Sequence, residues 1–371
     1  MYLLEFAGED DAFAACEATS AAGGVRHLAP GLATARGIDP AGVRGLAYTR
    51  RVSSLIGHTD ASVESARTLL ETAPLDRTQS VAVRATDVRG STGVSTQQAE
   101  RELGSVLVER GFTVDLEEPD CVLRAAFSEG VLEAGTDTGD LFESAQGEMT
   151  TDASHVARGE GVGEEVSVCA LGWLECESVR DFGTRAPTDK PFFQPGSMDP
   201  SLARAVGNVA GAGPGRTILD PMCGTGGVLV EAGLVGADVI GTDAQGKMVR
   251  GARRNLHHYL DEDDPSPTGT RRGCWQVARA DAGRLPFRDD AVDGVVFDAP
   301  YGRQSKIETH RLEDLVSGAL SEACRVAPRA VVVADRSWAG EARAAGWELE
   351  AAFERRVHRS LTRYVLILER R

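Results

Sequence analysis

A turn at the end of one predicted strand carries the residue types best suited to chemistry on an amine. The turn reads Asp298-Ala299-Pro300-Tyr301-Gly302 and follows the strand predicted over 293–298. The carboxylate of Asp298 and a backbone carbonyl can accept both N–H groups of a planar amine, which points the nitrogen lone pair at a methyl donor. Tyr301 can stack on the attached ring, and such stacking contributes about 1–3 kcal/mol. The turn therefore predicts a catalytic site, formed by Asp298, Ala299, Pro300 and Tyr301, that acts through positioning and electrostatics.

A glycine-rich turn ends an earlier predicted strand, over 216–220, and precedes an apolar helix at 228–235. Asp220 closes that strand, and the turn after it contains Cys223, Gly224, Thr225 and Gly226. Glycine lets the backbone approach a ligand because a Cβ atom would clash there. The spacing D-x-x-x-G-x-G-G differs from the G-x-G-x-x-G of dinucleotide folds. Asp220 would repel a pyrophosphate but can accept a hydrogen bond from the ammonium of S-adenosylmethionine, so the turn predicts a site for that cofactor.

Two further acids follow the next two predicted strands. Asp243 ends the strand at 238–242, about twenty residues after the glycines, where an acid would bind ribose hydroxyls. Asp281, followed by Ala282, ends the strand at 274–280 and can accept a hydrogen bond from the adenine amino group. Each acid taken alone could be a helix N-cap. Three acids at three successive strand ends together predict a complete S-adenosylmethionine site.

The order of elements predicts an α/β protein with two different halves. From Pro200 onward, predicted strands alternate with helices, which is typical of a parallel, doubly wound sheet. These strands lie at 216–220, 238–242, 274–280, 293–298 and 330–334. The last two strands, at 347–353 and 363–369, are close enough along the chain to form an antiparallel pair. The N-terminal half mixes short strands with a helix that Ser95 or Thr96 can cap, which predicts small α+β units.

Three stretches of the chain resemble the archaeal tRNA guanine-N2 methyltransferases, which modify guanosine 10. Asp298-Ala299-Pro300-Tyr301 resembles the D/N-P-P-Y motif of amino-group methyltransferases, although Ala299 replaces the first proline. The stretch Arg185-Ala186-Pro187 through Lys190-Pro191-Phe192-Phe193 to Pro200 resembles the entry to their catalytic domain. In the N-terminal half, the strand at 81–84 and the segment Val114-Asp115-Leu116 are similar to their THUMP domain.

The resemblance implies an order of domains along the chain. An N-terminal α+β ferredoxin-like domain is expected at 1–60 and a THUMP RNA-binding domain at 61–165. A linker at 166–195 would then lead into a Rossmann-like class I methyltransferase domain at 196–371. The sheet of this last domain is expected to be mostly parallel, with an antiparallel last strand.

The resemblance also implies the reaction and its substrate. S-adenosylmethionine would methylate the exocyclic N2 amine of a guanosine in tRNA, giving N2-methyl- and N2,N2-dimethylguanosine, while THUMP holds the tRNA 3′ end. Basic residues beside the predicted turn, in the linker and on the THUMP-like strand are predicted to contact RNA: Arg84, Arg185, Lys190, Arg303 and Lys306.

Alternatives share part of this pattern. An amino-methyltransferase acting on rRNA or DNA bases would use the same chemistry over 220–301, but a DNA enzyme would not need the THUMP-like half. A glutamine-amide methyltransferase would usually show N-P-P-Y, which Asp298 disfavours. If the replacement of proline by Ala299 had abolished the catalytic function of the motif, a non-catalytic RNA-binding protein would be expected.

The composition suggests the setting in which the chain works. The formal net charge is −16, and only three of the 40 basic residues are lysine. This is typical of a halophilic archaeon, in which an acidic surface keeps proteins soluble and does not exclude an RNA partner. No apolar run reaches the roughly 18 residues of a membrane span, so we expect a cytoplasmic protein. The seven cysteines contain no C-x-x-C pair, so we expect buried thiols and no metal site. We also expect a monomer.

Overall fold

The computed structural model describes residues 1–75, 79–132, 163–261, 266–300, 309–358 and 361–370. These residues fall into two compact units, each with its own sheet. The first unit holds the described residues from Met1 to Ser178 except Gly45–Ala47, and the second holds Gly45–Ala47 together with those from Val179 onward.

The first unit is an α+β structure around an eight-stranded sheet. Its sheet order is β3-β4-β1-β6-β10-β9-β7-β8, and β2 pairs separately with β5. The strands are β1 (Tyr2–Phe6), β2 (Ala22–Gly23), β3 (Arg26–Ala29), β4 (Leu32–Ala35), β5 (Gly37–Ile38), β6 (Thr49–Thr59), β7 (Ser80–Asp87), β8 (Thr113–Val114), β9 (Cys121–Leu132) and β10 (Glu164–Glu177). The helices are α1 (Asp11–Ala18), α2 (Pro40–Arg44), α3 (Val63–Thr72) and α4 (Thr96–Glu109).

Helix α4 forms where its sequence predicts. Ser95 is the N-cap, and its side chain accepts a hydrogen bond from the backbone N–H of Gln98 at 3.3 Å. Leu103 and Leu107 lie one turn apart and are fully buried, so the helix packs its apolar face into the core of this unit.

Strand β10 corrects the predicted linker. The sequence predicts a linker at 166–195, but 166–177 belongs to β10, which pairs with β9 on one side and β6 on the other. The reason is its apolar middle, since 169–173 is buried on both faces of the sheet. β10 also sits between strands from both expected N-terminal domains, 1–60 and 61–165, so one continuous sheet crosses that predicted boundary.

The second unit has the Rossmann-like sheet that the sequence predicts. Its order is β13-β12-β11-β14-β15-β17-β16, with β11 to β15 parallel and β17 antiparallel to both of its neighbours. The strands are β11 (Thr217–Asp220), β12 (Asp238–Asp243), β13 (Trp275–Arg279), β14 (Gly294–Asp298), β15 (Arg329–Ala334), β16 (Trp347–His358) and β17 (Leu361–Arg370). The helices are α5 (Pro200–Val209), α6 (Gly227–Leu234), α7 (Gly246–Leu260), α8 (Thr309–Val326) and α9 (Ala339–Ala344).

The centre of this sheet positions the two predicted turns. β11 pairs with β12 on one side and with β14 on the other, so the chain order reverses at β11. Ligands of open parallel sheets bind at the carboxyl ends of the strands beside such a reversal. Val295, Val296 and Phe297 of β14 are fully buried, which anchors the strand that ends at Asp298. Among the described residues, no helix is long and apolar enough to cross a membrane.

Candidate active site

Asp220 is the most deeply buried acid at the carboxyl ends of these strands. It is only 4% exposed, and one carboxylate oxygen accepts a hydrogen bond from the backbone N–H of Met222 at 3.0 Å. Burial raises the pKa of Asp220 well above its ordinary value; the Met222 hydrogen bond opposes this, and the charges of Asp243 and Asp298 add to it. A buried carboxylate with this environment is stabilised by a cationic ligand.

The glycine turn beside Asp220 has a backbone conformation and a close helix contact that favour glycine. Gly224 and Gly226 have positive φ angles of 51° and 77°, which other residues rarely adopt. A Cβ atom on Gly226 would lie 3.3 Å from the Cβ of Ala252 on α7, so the helix packs directly onto the turn. The buried Cys223 accepts the Gly226 N–H at 2.6 Å through its backbone carbonyl, which closes the turn.

Asn255, which the sequence reasoning missed, fastens the turn to the segment that precedes α5. Its side-chain amide donates to the carbonyls of Thr225 at 2.8 Å and Phe192 at 2.9 Å, and its oxygen accepts the Phe192 N–H at 2.8 Å. The fully buried position on α7 fixes this arrangement. A single asparagine in a helix gives no sequence signal for such a role.

A cleft of about 190 Å³ joins the two predicted turns. Its lining includes the predicted cofactor residues Asp220, Cys223, Gly224 and Thr225 and the predicted catalytic residue Asp298. It also includes residues of the segment before α5 that were not predicted as site residues: Gln194, Pro195, Gly196, Ser197 and Met198. The structure therefore brings the glycine turn and the catalytic acid to one cavity. Among the described residues, no cluster of His, Cys, Asp and Glu could hold a metal ion.

The other predicted cofactor residues adjoin the cleft or lie apart from its lining. Asp243 uses both carboxylate oxygens on backbone N–H groups, from Gly224 at 3.1 Å and Gln245 at 2.8 Å, so it holds the glycine turn in place. Asp281 is exposed and accepts from the Gly283 N–H at 2.9 Å, while Ala282 is buried in the core. Contacts of Asp243 with ribose and of Asp281 and Ala282 with adenine stay predictions.

Asp298 ends β14 and has a basic neighbour that sequence reasoning missed. The guanidinium of Arg363 lies 3.9 Å from its carboxylate, and the Arg363 side chain is 6% exposed whereas that of Asp298 is 24% exposed. Arg363 stands on β17, two strands away from β14 in the sheet. A charged residue just before the apolar run Val365–Leu368 was a weak signal, because no spacing rule links it to residue 298.

The structure explains why alanine serves in place of the first proline of the motif. The backbone N–H of Ala299 donates to the carbonyl of Val333 on β15 at 2.7 Å. Proline lacks this N–H and could not extend the pairing of β14 with β15. Ala299 is also buried in the core of the unit, and Pro300 is half-buried. Tyr301, Arg303 and Lys306 lie outside the described residues.

Two of the predicted RNA contacts are wrong. Arg185 is 3% exposed and forms ion pairs with Asp181 and Glu231, each at 2.7 Å, so its guanidinium is used inside the protein. Burial opposes its charge, but the hydrogen bonds and charges of Asp181 and Glu231 raise the pKa of Arg185. Lys190 is 5% exposed and equally unable to meet RNA at the surface. Arg84, in the first unit, is half-buried and donates to the Leu116 carbonyl at 2.9 Å; its RNA contact stays a prediction.

The fold and this cleft define the class of the protein. The sheet has seven strands, with a glycine turn after its first strand along the chain and an acidic turn after its fourth. This arrangement is that of a class I S-adenosylmethionine-dependent methyltransferase. Residues 187–365 match the UPF0020 family, described as an RMKL-like methyltransferase domain. The tRNA (guanine(10)-N2)-dimethyltransferase of Methanothermobacter thermautotrophicus is 31% identical over 337 residues, which cover 88% of this chain and 83% of that protein. The chain belongs to the family of these methyltransferases.

The chain is also similar to a further curated relative and to a solved structure. The Pyrococcus abyssi protein of the same description is 33% identical over 195 residues, covering 52% of this chain and 56% of the relative. The crystal structure of TrmN from Thermus thermophilus aligns with 100% of this chain and 99% of its own at 22% identity, with a TM-score of 0.45.

The residues of the cleft fit S-adenosylmethionine. The buried Asp220 carboxylate calls for a cation, and Gly224, which lines the cleft, has no Cβ atom to intrude on the ligand. When bound, this cofactor supplies an electrophilic methyl group on a sulfonium. The sequence prediction of the cofactor and of a methyltransferase is confirmed.

Proposed function

We propose that this protein methylates the exocyclic N2 amine of a guanosine in tRNA, at position 10, and forms both N2-methyl- and N2,N2-dimethylguanosine. The observation that carries the proposal is the shared cleft, in which Asp298 faces the same cavity as the glycine turn and Asp220. The relatives named for this reaction, among them the one matched over 88% of the chain, supply the choice of base and position.

Asp298 has the chemistry that an exocyclic amine requires. Its carboxylate accepts one N–H of the amine, and a backbone carbonyl of the turn accepts the other, which directs the nitrogen lone pair toward the methyl group. As the new N–C bond forms, the nitrogen becomes positively charged, and its surplus proton can pass to the same carboxylate. The guanidinium of Arg363 lies 3.9 Å from this carboxylate and can hold it in position through charge attraction.

The first unit supplies the RNA-binding half of the proposal. It is the THUMP-containing part in our reading, and it would hold the tRNA 3′ end so that the target base reaches the second unit. Arg84, Arg303 and Lys306 are the basic residues that we still assign to RNA. We further propose that the enzyme is a cytoplasmic monomer from a halophilic archaeon; the scarcity of lysine and the net charge of −16 support the halophilic origin.

Removing the N2 amine from one nucleotide of the substrate tests the proposal. Two tRNA transcripts would differ only at position 10, one with guanosine and one with inosine, which lacks the N2 amine. We expect methyl transfer from labelled S-adenosylmethionine to the guanosine transcript at high KCl and none to the inosine transcript. Equal labelling of both would refute the N2 assignment, and labelling of rRNA or DNA in place of tRNA would support the alternative amino-methyltransferases.

A further inference from the structure

Lys190 carries a buried ammonium group that the fold leaves without a hydrogen-bond acceptor. The residue is 5% exposed, and its Nζ has no hydrogen-bond partner among the residues that the structure describes. Glu231, the buried acid whose charge acts on Lys190, already accepts hydrogen bonds from Arg185 at 2.7 Å and Arg204 at 2.8 Å. Because an unpartnered buried charge is strongly unfavourable, the fold alone does not account for this lysine.

The ammonium group is directed at the first turn of α6. A Cβ atom added to Gly227, the first residue of this eight-residue helix, would lie 3.2 Å from the Nζ of Lys190. Gly227 also lines the cleft that contains Asp220 and Asp298. The N-cap of the helix, Gly226, offers no side chain to the free backbone N–H groups of the turn. A lysine and a helix N-terminus thus converge on one place, and both favour an anion.

Asp220, at the same cleft, favours a cation where Lys190 favours an anion. It is a buried carboxylate whose one partner given by the structure is the backbone N–H of Met222. A ligand group that carries an ammonium and a carboxylate on one carbon atom would satisfy both ends of the turn. The methionine part of S-adenosylmethionine is such a group.

We propose that Lys190 binds the carboxylate of S-adenosylmethionine, so that Lys190 and Asp220 hold the two charges of its methionine part. Burial lowers the pKa of Lys190, against the charges of Glu231 and Asp199, and a bound carboxylate would offset that effect. A Cβ atom at position 227 would press on the ammonium group, which would have to shift by a few tenths of an ångström. This inference concerns the cofactor and does not depend on the RNA substrate.

Decarboxylated S-adenosylmethionine provides a direct test, because it lacks only the carboxylate. Calorimetric titration without RNA would measure the affinity of both compounds for the wild type and for K190M, which keeps the length of the side chain. We expect K190M to weaken S-adenosylmethionine by about 10- to 100-fold, the range of a lost hydrogen bond between charged groups. Its affinity for the decarboxylated compound should change by less than about threefold on the same scale.

The controls separate a ligand contact from a structural role. R67M removes an exposed basic side chain of α3 in the first unit and should leave both affinities as in the wild type. An equal loss for the two compounds in K190M, or no loss for either, would overturn the proposal. K190Q repeats the comparison in case K190M folds poorly. Independently of any variant, a wild type that binds the decarboxylated compound as tightly as S-adenosylmethionine would also overturn it.

Discussion

Replacing Asp220 with asparagine should change the stability of the free protein and its affinity for the cofactor in opposite directions. The asparagine side-chain oxygen can still accept the hydrogen bond from the Met222 N–H, so the turn keeps its geometry. The substitution removes a negative charge that lies in a buried site near Asp243 and Asp298. It therefore relieves an unfavourable charge in the free protein and removes the partner of the cofactor ammonium.

The magnitudes follow from the environment of this carboxylate. A hydrogen bond between charged groups is worth about 1.5–3 kcal/mol, so D220N should weaken S-adenosylmethionine by about 10- to 150-fold. Each unit by which burial raises the pKa of Asp220 corresponds to about 1.4 kcal/mol that the free protein regains at neutral pH. In a domain of this size, each 1 kcal/mol raises the melting temperature by about 2–4 °C.

The sign of the pH dependence is fixed by the raised pKa of Asp220. The folded state favours the protonated acid, so this group stabilises the fold below its unfolded pKa and loses that effect as the pH rises through its folded pKa. The melting temperature of D220N should thus exceed that of the wild type at neutral pH and approach it in acid.

Calorimetric titration and thermal melting of the free protein measure the two effects, and D289N, which changes an exposed acid, serves as the control. A D220N protein that melts below the wild type, or that binds the cofactor equally well, would refute the reasoning.

Three further substitutions probe the catalytic turn and its supports. R363M removes the basic neighbour of Asp298 and should lower kcat by about 10- to 100-fold with little change in cofactor affinity. R363K should recover part of this loss, and unchanged steady-state kinetics in R363M would contradict the positioning role. A299P restores the proline of the family motif but removes the N–H that donates to Val333. It should lower the free energy of unfolding, measured in urea, by about 1–3 kcal/mol. A more stable variant would show that this hydrogen bond is unimportant. E231Q leaves two buried arginines with less compensating charge and should lower the free energy of unfolding by about 3–5 kcal/mol, whereas a change within about 0.5 kcal/mol would refute the buried network.

The sequence was sufficient for the parts of the fold that local pattern controls. The strands that end at Asp220 and Asp298 are apolar runs closed by turn residues, and the structure begins and ends them within one or two residues of the prediction. The glycine turn was equally predictable, since positive φ angles at Gly224 and Gly226 require that residue type.

The errors lie where distant partners decide the outcome. Arg185 and Lys190 stand in a proline-punctuated, basic segment that favours a surface position. The acid that buries Arg185 is Glu231, 46 positions along the chain, on an apolar helix whose sequence gives no hint of the pair. Arg363 likewise approaches Asp298 only because β17 inserts between β15 and β16, an order that no local pattern encodes.

The most direct test of the account is the identity of the methylated nucleoside. Unmodified tRNA would be incubated with S-adenosylmethionine at high KCl, digested to nucleosides and analysed by mass spectrometry, with D298N as the matched variant. We predict N2-methyl- and N2,N2-dimethylguanosine from the wild type, and neither from D298N although it still binds the cofactor. Methylation of another base, or equal product from the two proteins, would contradict the role assigned to Asp298 and the proposed reaction.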